Sequence, residues 1–358
     1  MKALILCGGK GTRLRPLTYT RSKQMLPVGN RPIVEYVLRH VAAAGIKEIG
    51  IILSPSTDVE IKAFFEKNVL VRESGLKITF IMQAEPLGLA HAVQTAKPFL
   101  KSDPFVMYLG DNLLKEGLIA SQETFTREKL DALVTLKEVD NPQAFGVAVL
   151  DKKGNIKKLV EKPKERLSPY ALVGVYFFSP RIHEAIAQIK PSWRGELEIT
   201  DAIQKLLDMG GKVKGEILQS WWLDTGKKDD MLSANSVVLD EYTKTEILGQ
   251  VDEKSKISGR VSVGKGSRVV NSTLRGPVAI GNNVEIIDSF IGPYSSIGDD
   301  SKIHSSSIEH SVILRGVRIN GVPRLEDSLI GEDTQVIKSE QKHTALRLML
   351  GDSAVVEI

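Results

Sequence analysis

The chain carries a single cysteine, Cys7, in 358 residues, so no intrachain disulfide can form and the expected compartment is the reducing cytoplasm. It also lacks an excess of one charge. Its 48 basic and 44 acidic residues leave a net charge of +4, spread without a basic run long enough to follow a nucleic-acid backbone, so no nucleic-acid partner is expected. No long hydrophobic run is present at the start: Met1-Lys2 leads to only a few apolar residues before Gly8-Gly9, far short of a signal-peptide core or a membrane span. The N-terminus therefore reads as part of the fold, with no membrane partner. Metal-ligand spacing is missing from the histidines as well. His40, His91, His183, His304, His310 and His343 read as packing or surface residues. What remains, 42% hydrophobic and 26% charged over this length, predicts a globular chain of two domains.

From Met1 to about Tyr242, apolar and β-branched runs alternate with helical patterns. Ala3 to Cys7, Ile49 to Leu53, Ile78 to Met82, Phe105 to Leu109 and Ala132 to Leu136 read as buried strands. Between the first two, Ile33, Val37, Leu38 and Val41 recur at helical spacing and Gly45 closes the pattern, which gives a strand, helix, strand unit. The expected fold is an α/β, Rossmann-like doubly wound sheet. Its ligands would lie beyond the carboxyl ends of the strands, at the loops that start at Gly8, Gln83 and Gly110.

After Tyr242 the period changes to six: Val251, Ile257, Val263, Val269, then Leu274, Ile280, Ile286, then Ile291, Ile297, Ile303. Neither a helix nor an ordinary strand repeats at that interval. Glycine follows the aliphatic residue at Val263, Ile280, Ile291, Ile297 and Ile330, as in hexapeptide coils that turn at small residues. The prediction is a left-handed parallel β-helix, with domains at 1–242 and 243–358. The repeat becomes irregular between Ile308 and Pro323, and the tail from Ser339 is expected to cap the last coil.

The first strand runs into Gly8-Gly9-Lys10-Gly11-Thr12-Arg13-Leu14, where glycines let backbone N–H groups approach phosphates. This is not a Walker loop, and Leu14 stands where a dinucleotide fingerprint needs its third glycine. Arg13 in the loop and Lys23 shortly after it add two cations to a segment already rich in amide donors.

The stretch Gly8 to Leu14, Pro16 and Ser22-Lys23-Gln24-Met25-Leu26-Pro27 resembles the signature of the sugar-1-phosphate nucleotidyltransferases. The likeness continues through Gln83 to Ala90, Gly110-Asp111-Asn112, Phe145-Gly146-Val147, Glu161-Lys162-Pro163, Gly195 to Asp201 and Trp222 to Gly226. It is strongest to the glucose-1-phosphate thymidylyltransferase branch, in the long form that ends in hexapeptide coils. That resemblance implies transfer of a nucleotidyl group from dTTP to glucose 1-phosphate, giving dTDP-glucose and pyrophosphate with Mg²⁺ as cofactor. It assigns Arg13 and Lys23 to the triphosphate, with Lys162 a third catalytic cation. Gly8, Gly9, Gly11, Thr12, Gln83, Pro86 and Gly88 would hold the nucleotide. Leu109, Gly146, Glu161, Lys162, Leu172 and Val173 would surround the sugar phosphate, and Asp111 and Asp224 would hold the metal.

Those roles suit the chemistry. A sugar phosphate is anionic at neutral pH and needs no general base to expose its nucleophile, so the obstacle is repulsion between two polyanions. Cations and in-line positioning answer it. Two departures from short-form relatives stand out: Phe145 in place of Tyr, which removes a possible sugar hydrogen bond, and Gly29-Asn30 in place of Tyr-Asp, which leans towards uridylyl and guanylyl enzymes. Gln24 leans towards thymidine. UTP thus remains an alternative substrate, because one methyl group is worth only about 1–3 kcal/mol of discrimination. A second alternative adds acetyltransferase chemistry in the β-helix, with His304 or His310 as base. A third is a non-catalytic regulatory subunit, although Arg13, Lys162 and both aspartates are in place. The flat faces of a β-helix further suggest a homo-oligomer.

Overall fold

Apolar residues on both faces of the early strands reflect burial on both sides of one sheet. In the computed structural model, which describes residues 1–9, 11–152, 154–338 and 352–356, Lys2–Leu6 is fully buried. It pairs in parallel with Glu48–Leu53 on one side and Phe105–Leu109 on the other, and Lys77–Met82 extends the sheet in parallel beyond Glu48–Leu53. The helix Ile33–Ala43 makes the first crossover, and Gly45 follows it at φ 72°, a left-handed value that glycine adopts without strain.

Past Phe105–Leu109 the sheet turns antiparallel. Tyr170–Phe178 pairs with that strand, and next come Gly146–Leu150 and Ile156–Glu161, with Ala132–Glu138 and Val213–Ile217 branching from it. The result is a mixed nine-stranded sheet with an apolar layer on each face, one around Ile5, Val37 and Phe65, the other around Leu4, Val93 and Ile203. The five strands read from the sequence are all present, four to within a residue at their ends and the fifth running two residues further, to Glu138.

The C-terminal region is a parallel β-helix of three ladders whose inward column runs Val263, Val269, Leu274, Ile280, Ile286, Ile291, Ile297, Ile303 and onward. The coils up to Ser295 contain 17 residues rather than three full hexapeptides: Val261 pairs with Val278, and Lys256 with Thr273. That is why the runs of six break by one residue at Val269–Leu274 and Ile286–Ile291. Irregularity after Ile308 has the same origin. A coil one residue shorter, with Lys302 opposite Arg318, shifts the sequence pattern while the ladders continue through Val312–Ile313 and Arg318–Asn320.

A stack of serines closes one corner of the coils. The N–H groups of Ser272, Ser289, Ser306 and Val322 donate to the hydroxyls of Ser255, Ser272, Ser289 and Ser306, so buried donors at the turns are satisfied. The expected cap formed by the tail falls largely on residues 339–351, outside the described residues. No helix among the described residues is long and apolar enough to cross a membrane.

Chain contacts define two compact units. One comprises Met1–Lys10, Arg21–Met25 and Ile33–Asp224; the other comprises Gly11–Thr20, Leu26–Pro32 and everything from Thr225. The helix Lys228–Tyr242, placed before the expected boundary at 242/243, thus groups with the β-helix, as do two N-terminal segments.

Candidate active site

Two distant aspartates meet because a small second sheet brings them together. The chain leaves Phe105–Leu109 through Gly110, where a Cβ would sit 2.8 Å from the Cys7 Sγ and 2.9 Å from the Leu6 carbonyl oxygen, closer than any side chain tolerates. Asn112–Leu114 then pairs antiparallel with Trp222–Asp224, with Asp224 opposite Asn112 and so beside Asp111. Lys23, from the short turn Lys23–Met25, lies between the two carboxylates. Its Nζ is 2.5 Å from Asp111 Oδ2 and 3.7 Å from Asp224 Oδ1, and its side chain is only 8% exposed. An ammonium so deeply buried is stable only beside opposite charge.

A second cluster forms where Gly146–Leu150 runs beside Ile156–Glu161, with Glu161 opposite Gly146. Thr200 Oγ1 donates to Glu161 Oε2 at 2.6 Å, and Arg194 Nη1 stands 3.6 Å from Glu161 Oε1. Burial raises the Glu161 carboxyl above its ordinary pKa; the Thr200 hydrogen bond, Lys162 and Arg194 oppose that rise, while Glu198 adds to it. A Cβ on Gly146 would fall 2.8 Å from Thr200 Oγ1, 3.0 Å from Glu161 Oε2 and 3.4 Å from Leu172 Cδ2. Gly146, Glu161, Leu172 and Thr200 therefore share one small space. Leu109 and Asn112 meet at Gly174, and Trp222 donates its indole N–H to Asn112 Oδ1 at 2.9 Å. Lys162 is exposed with φ 40°, a conformation rare for a residue with a side chain, and its N–H donates to the Phe145 carbonyl. Val173, by contrast, points its side chain into the core beside Val175, leaving only its backbone for a ligand.

Gln83 and Gly88 belong to a third cluster. The Gln83 side-chain amide donates to the Gly88 carbonyl at 3.2 Å and lies 2.9 Å from His91 Nδ1. Gly88 has φ 105°, and a Cβ there would come within 2.4 Å of the Leu197 carbonyl oxygen, so only glycine fits. Gly8 lies against Gln83 Oε1 with space for a Cβ at 3.7 Å, Gly9 faces Gln24, and Pro86 is exposed. Gly11, Thr12 and Arg13 belong to the second unit. Gly11 has φ 60°, Thr12–Leu14 forms one short turn, and Arg13 is exposed.

Residues 2–241 match the family model described as nucleotidyl transferase. The chain belongs to the nucleotidyl transferase family. It is 47% identical over 359 residues to a glucose-1-phosphate thymidylyltransferase of Streptomyces antibioticus, covering 100% of this chain and 99% of that one. A protein of the same name from Streptomyces griseus is 45% identical over 358 residues, again 100% of this chain and 99% of the relative. Among solved structures, a candidate glucose-1-phosphate thymidylyltransferase of Bacillus anthracis, in complex with a sucrose, superposes with a TM-score of 0.63 at 34% identity. It covers 68% of this chain and 96% of that chain.

Nucleotidyl transferases of this family generally use a divalent metal, and sugar 1-phosphates and nucleoside triphosphates fit them as substrates. The donor set here suits such an ion. Asp111 and Asp224 approach closely enough to share the Lys23 ammonium, which shows that both face one cation-sized position. No group of three or more His, Cys, Asp or Glu among the described residues could hold a metal, so two hard carboxylates would leave the rest of the shell to water and phosphate oxygens.

Sequence reading missed several neighbours of these residues in this nucleotidyl transferase. Thr200 and Arg194 both touch Glu161, His91 braces Gln83, and Asn112 with Trp222 walls the space near Leu109. Their signal was available in part, since Thr200 and Trp222 lie within family motifs. Arg194 and His91 have none that one sequence provides. The two departures also gain physical reasons. Phe145 packs edge-on against Trp222 at 5.1 Å, and Asn30 donates to the Ala279 and Ile297 carbonyls of the β-helix, which gives Gly29-Asn30 a structural role in the second unit. His304 and His310 pair with Glu285 and Asp327.

Because Gly146 lacks a positive φ, alanine fits its backbone and only the crowding at Thr200 and Glu161 distinguishes the variant. Gly146→Ala is expected to raise the KM for sugar 1-phosphate by roughly tenfold, about 1.4 kcal/mol of lost binding, with the triphosphate KM unchanged. Steady-state kinetics with each substrate varied in turn measures this.

Proposed function

We propose that the chain transfers a thymidylyl group from dTTP to glucose 1-phosphate, giving dTDP-glucose and pyrophosphate for activated-sugar synthesis in the cytoplasm. The observation that carries the reaction class is Lys23 flanked by Asp111 and Asp224 at the carboxyl ends of the parallel strands, with the Glu161 cluster on the same sheet. The base and the sugar follow from the two Streptomyces relatives, whose likeness runs through the β-helix as well as the catalytic unit. The same likeness makes the acetyltransferase alternative less favoured.

In this reading Arg13 and Lys23 bind the triphosphate, and Gly8, Gly9, Gly11, Thr12, Gln83, Pro86 and Gly88 bind the nucleotide. Lys162 binds the sugar phosphate, while Glu161, Gly146, Leu172, Leu109 and the Val173 backbone surround the sugar. Asp111 and Asp224 would hold Mg²⁺, which supplies charge neutralisation between the two anionic substrates. The sugar-phosphate oxygen needs no deprotonation. Lys162 holds it in place, Glu161 accepts sugar hydroxyls as a carboxylate, and Arg13 offsets charge on the departing pyrophosphate. The first 242 residues carry the catalytic groups, and the β-helix that follows contributes to a homo-oligomer.

Pyrophosphate release with dTTP, UTP, ATP, GTP and CTP against glucose 1-phosphate and its amino and manno analogues tests the reading. The highest kcat/KM is expected for dTTP with glucose 1-phosphate. A higher value for another pair would replace the assignment, and no release with any pair would overturn it.

Glu161 gives this reaction a pH signature. A carboxyl raised by burial loses its charge as pH falls while ordinary glutamates are still ionised, so kcat/KM for glucose 1-phosphate should decline on the acid side from above the usual carboxylate range. Thr200→Val removes the hydrogen bond that favours the charged form and should move that acid limb further up. Titration of the substrate's own phosphate is common to both proteins and cancels. Superimposable pH profiles would disconnect Thr200 from the ionisation of Glu161.

A further inference from the structure

Short turns have few internal hydrogen bonds, so their conformation is set by what they pack against. The turn Thr12–Leu14, which carries Arg13, is held locally by a few bonds: Leu14 N–H and Thr18 Oγ1 both donate to Gly11 O, at 3.0 and 2.7 Å, and Arg15 N–H donates to Thr12 O at a long 3.4 Å. Gly11 itself, at φ 60°, contributes flexibility rather than stiffness. Further anchorage of this segment lies in the β-helix unit. Leu17 enters an apolar seat formed by Met231, Val312, Leu314, Leu329 and Ile330, where the remaining gap of about 10 Å³ is at the limit for a single water. Its Cδ2 lies 3.5 Å from the Cβ position of Gly331, and Tyr19 meets Ser353 with 3.3 Å between their oxygens.

The chain just beyond Lys23-Gln24-Met25 is fastened in the same way. Asn30 donates to Ala279 O at 3.0 Å and to Ile297 O at 2.9 Å, on successive coils. Gly29 N–H donates to Asn235 Oδ1 at 2.9 Å, and the fully buried Asn235 donates in turn to Tyr294 O and accepts from Ser296 Oγ.

We infer that the β-helix is a working part of triphosphate binding, with Leu17 as a positioning residue for Arg13 and Asn30 as the fastener of the chain just after Lys23. The inference rests on the assignment of Arg13 and Lys23 to the triphosphate. Every residue assigned to chemistry precedes Thr225, so the sequence alone makes the β-helix dispensable for catalysis; the packing of Leu17 and the bonds of Asn30 tie it to the segments that carry Arg13 and follow Lys23. A loop displaced by about 1 Å can cost a hundredfold in rate, and loss of the Leu17 seat removes the contact that prevents such displacement.

The test uses the full-length protein carrying Leu17→Ala, Leu17→Met or Asn30→Gly, glycine being chosen because Asn30 sits at φ 62°. With dTTP varied, kcat/KM should fall on the order of tenfold or more in Leu17→Ala and Asn30→Gly, while the KM for glucose 1-phosphate stays within about twofold. Leu17→Met should recover most of the loss, and amide exchange in 12–19 should quicken in Leu17→Ala. Unchanged dTTP kinetics in a folded Leu17→Ala or Asn30→Gly protein overturns the inference, as does an equal loss for both substrates. If Leu17→Ala does not fold, Asn30→Gly decides alone, since it deletes two hydrogen bonds and no apolar packing. A wild type inert with every triphosphate sinks the functional reading and this inference together, whereas an active wild type with indifferent variants sinks only the inference.

Discussion

Asp111→Asn and Asp224→Asn are each expected to lower turnover at saturating Mg²⁺ by about a hundredfold or more, with little loss of folding stability. The reason is charge. A neutral amide binds a divalent cation weakly, and neutralisation of two approaching polyanions is worth several kcal/mol at about 1.4 kcal/mol per tenfold in rate. Stability is spared because Lys23 keeps a carboxylate partner in either single variant: Asp224 at 3.7 Å when Asp111 is changed, Asp111 at 2.5 Å when Asp224 is changed. The double variant differs. It strands a nearly buried ammonium, and its thermal midpoint should drop well below either single one. Turnover against Mg²⁺ concentration, together with thermal denaturation of all three proteins, checks the set. Near-normal turnover in either single variant would remove that aspartate from the metal site.

Lys162→Ala and Arg13→Ala should separate the two phosphates. Lys162 follows Glu161 directly and is held at φ 40° by a strand end and the Phe145 carbonyl, which sets it beside the cluster proposed for the sugar phosphate. Its loss should raise the apparent KM for glucose 1-phosphate by about ten- to a hundredfold, about the 1.5–3 kcal/mol of a charge-assisted hydrogen bond. Arg13→Ala should instead lower kcat and the kcat/KM for dTTP by a similar or larger factor, because charge on the leaving pyrophosphate grows in the transition state. Steady-state kinetics with each substrate varied gives both numbers. The reverse pattern would mean that the phosphates are assigned backwards.

How far these expectations could be read in advance varies by residue type. Strands such as Ala3 to Cys7 were legible because burial on both faces leaves an unbroken apolar run, and the β-helix was legible because each coil repeats one inward aliphatic per face. Coil length was harder. A six-residue period describes each face, but only the ladder register reveals that one corner is a residue short, which makes the period 17 and turns apparent irregularity after Ile308 into continuity. At the site, the glycines and acids of family motifs were legible, while Arg194 and His91 were not, because their contacts with Glu161 and Gln83 arise from tertiary approach. The least legible feature was ownership of the N-terminal segments. Nothing in Leu17 or Asn30 announces partners some 300 residues away, and the Gly29-Asn30 departure first suggested base preference.

That separation orders events during synthesis. Contacts within the β-helix close loops of 17 residues and form as each coil emerges from the ribosome, and the mixed sheet has all its strands once Val213–Ile217 is made. Leu17 must wait longer. The seat that receives it is completed only by Leu329 and Ile330, so the segment bearing Arg13 remains without its packing until those residues have been translated. A chain ended before Leu329 would thus own a folded sheet, both aspartates and Lys23 while still lacking the packing of the segment that carries Arg13, and on the role proposed for Arg13 it should be poorly active.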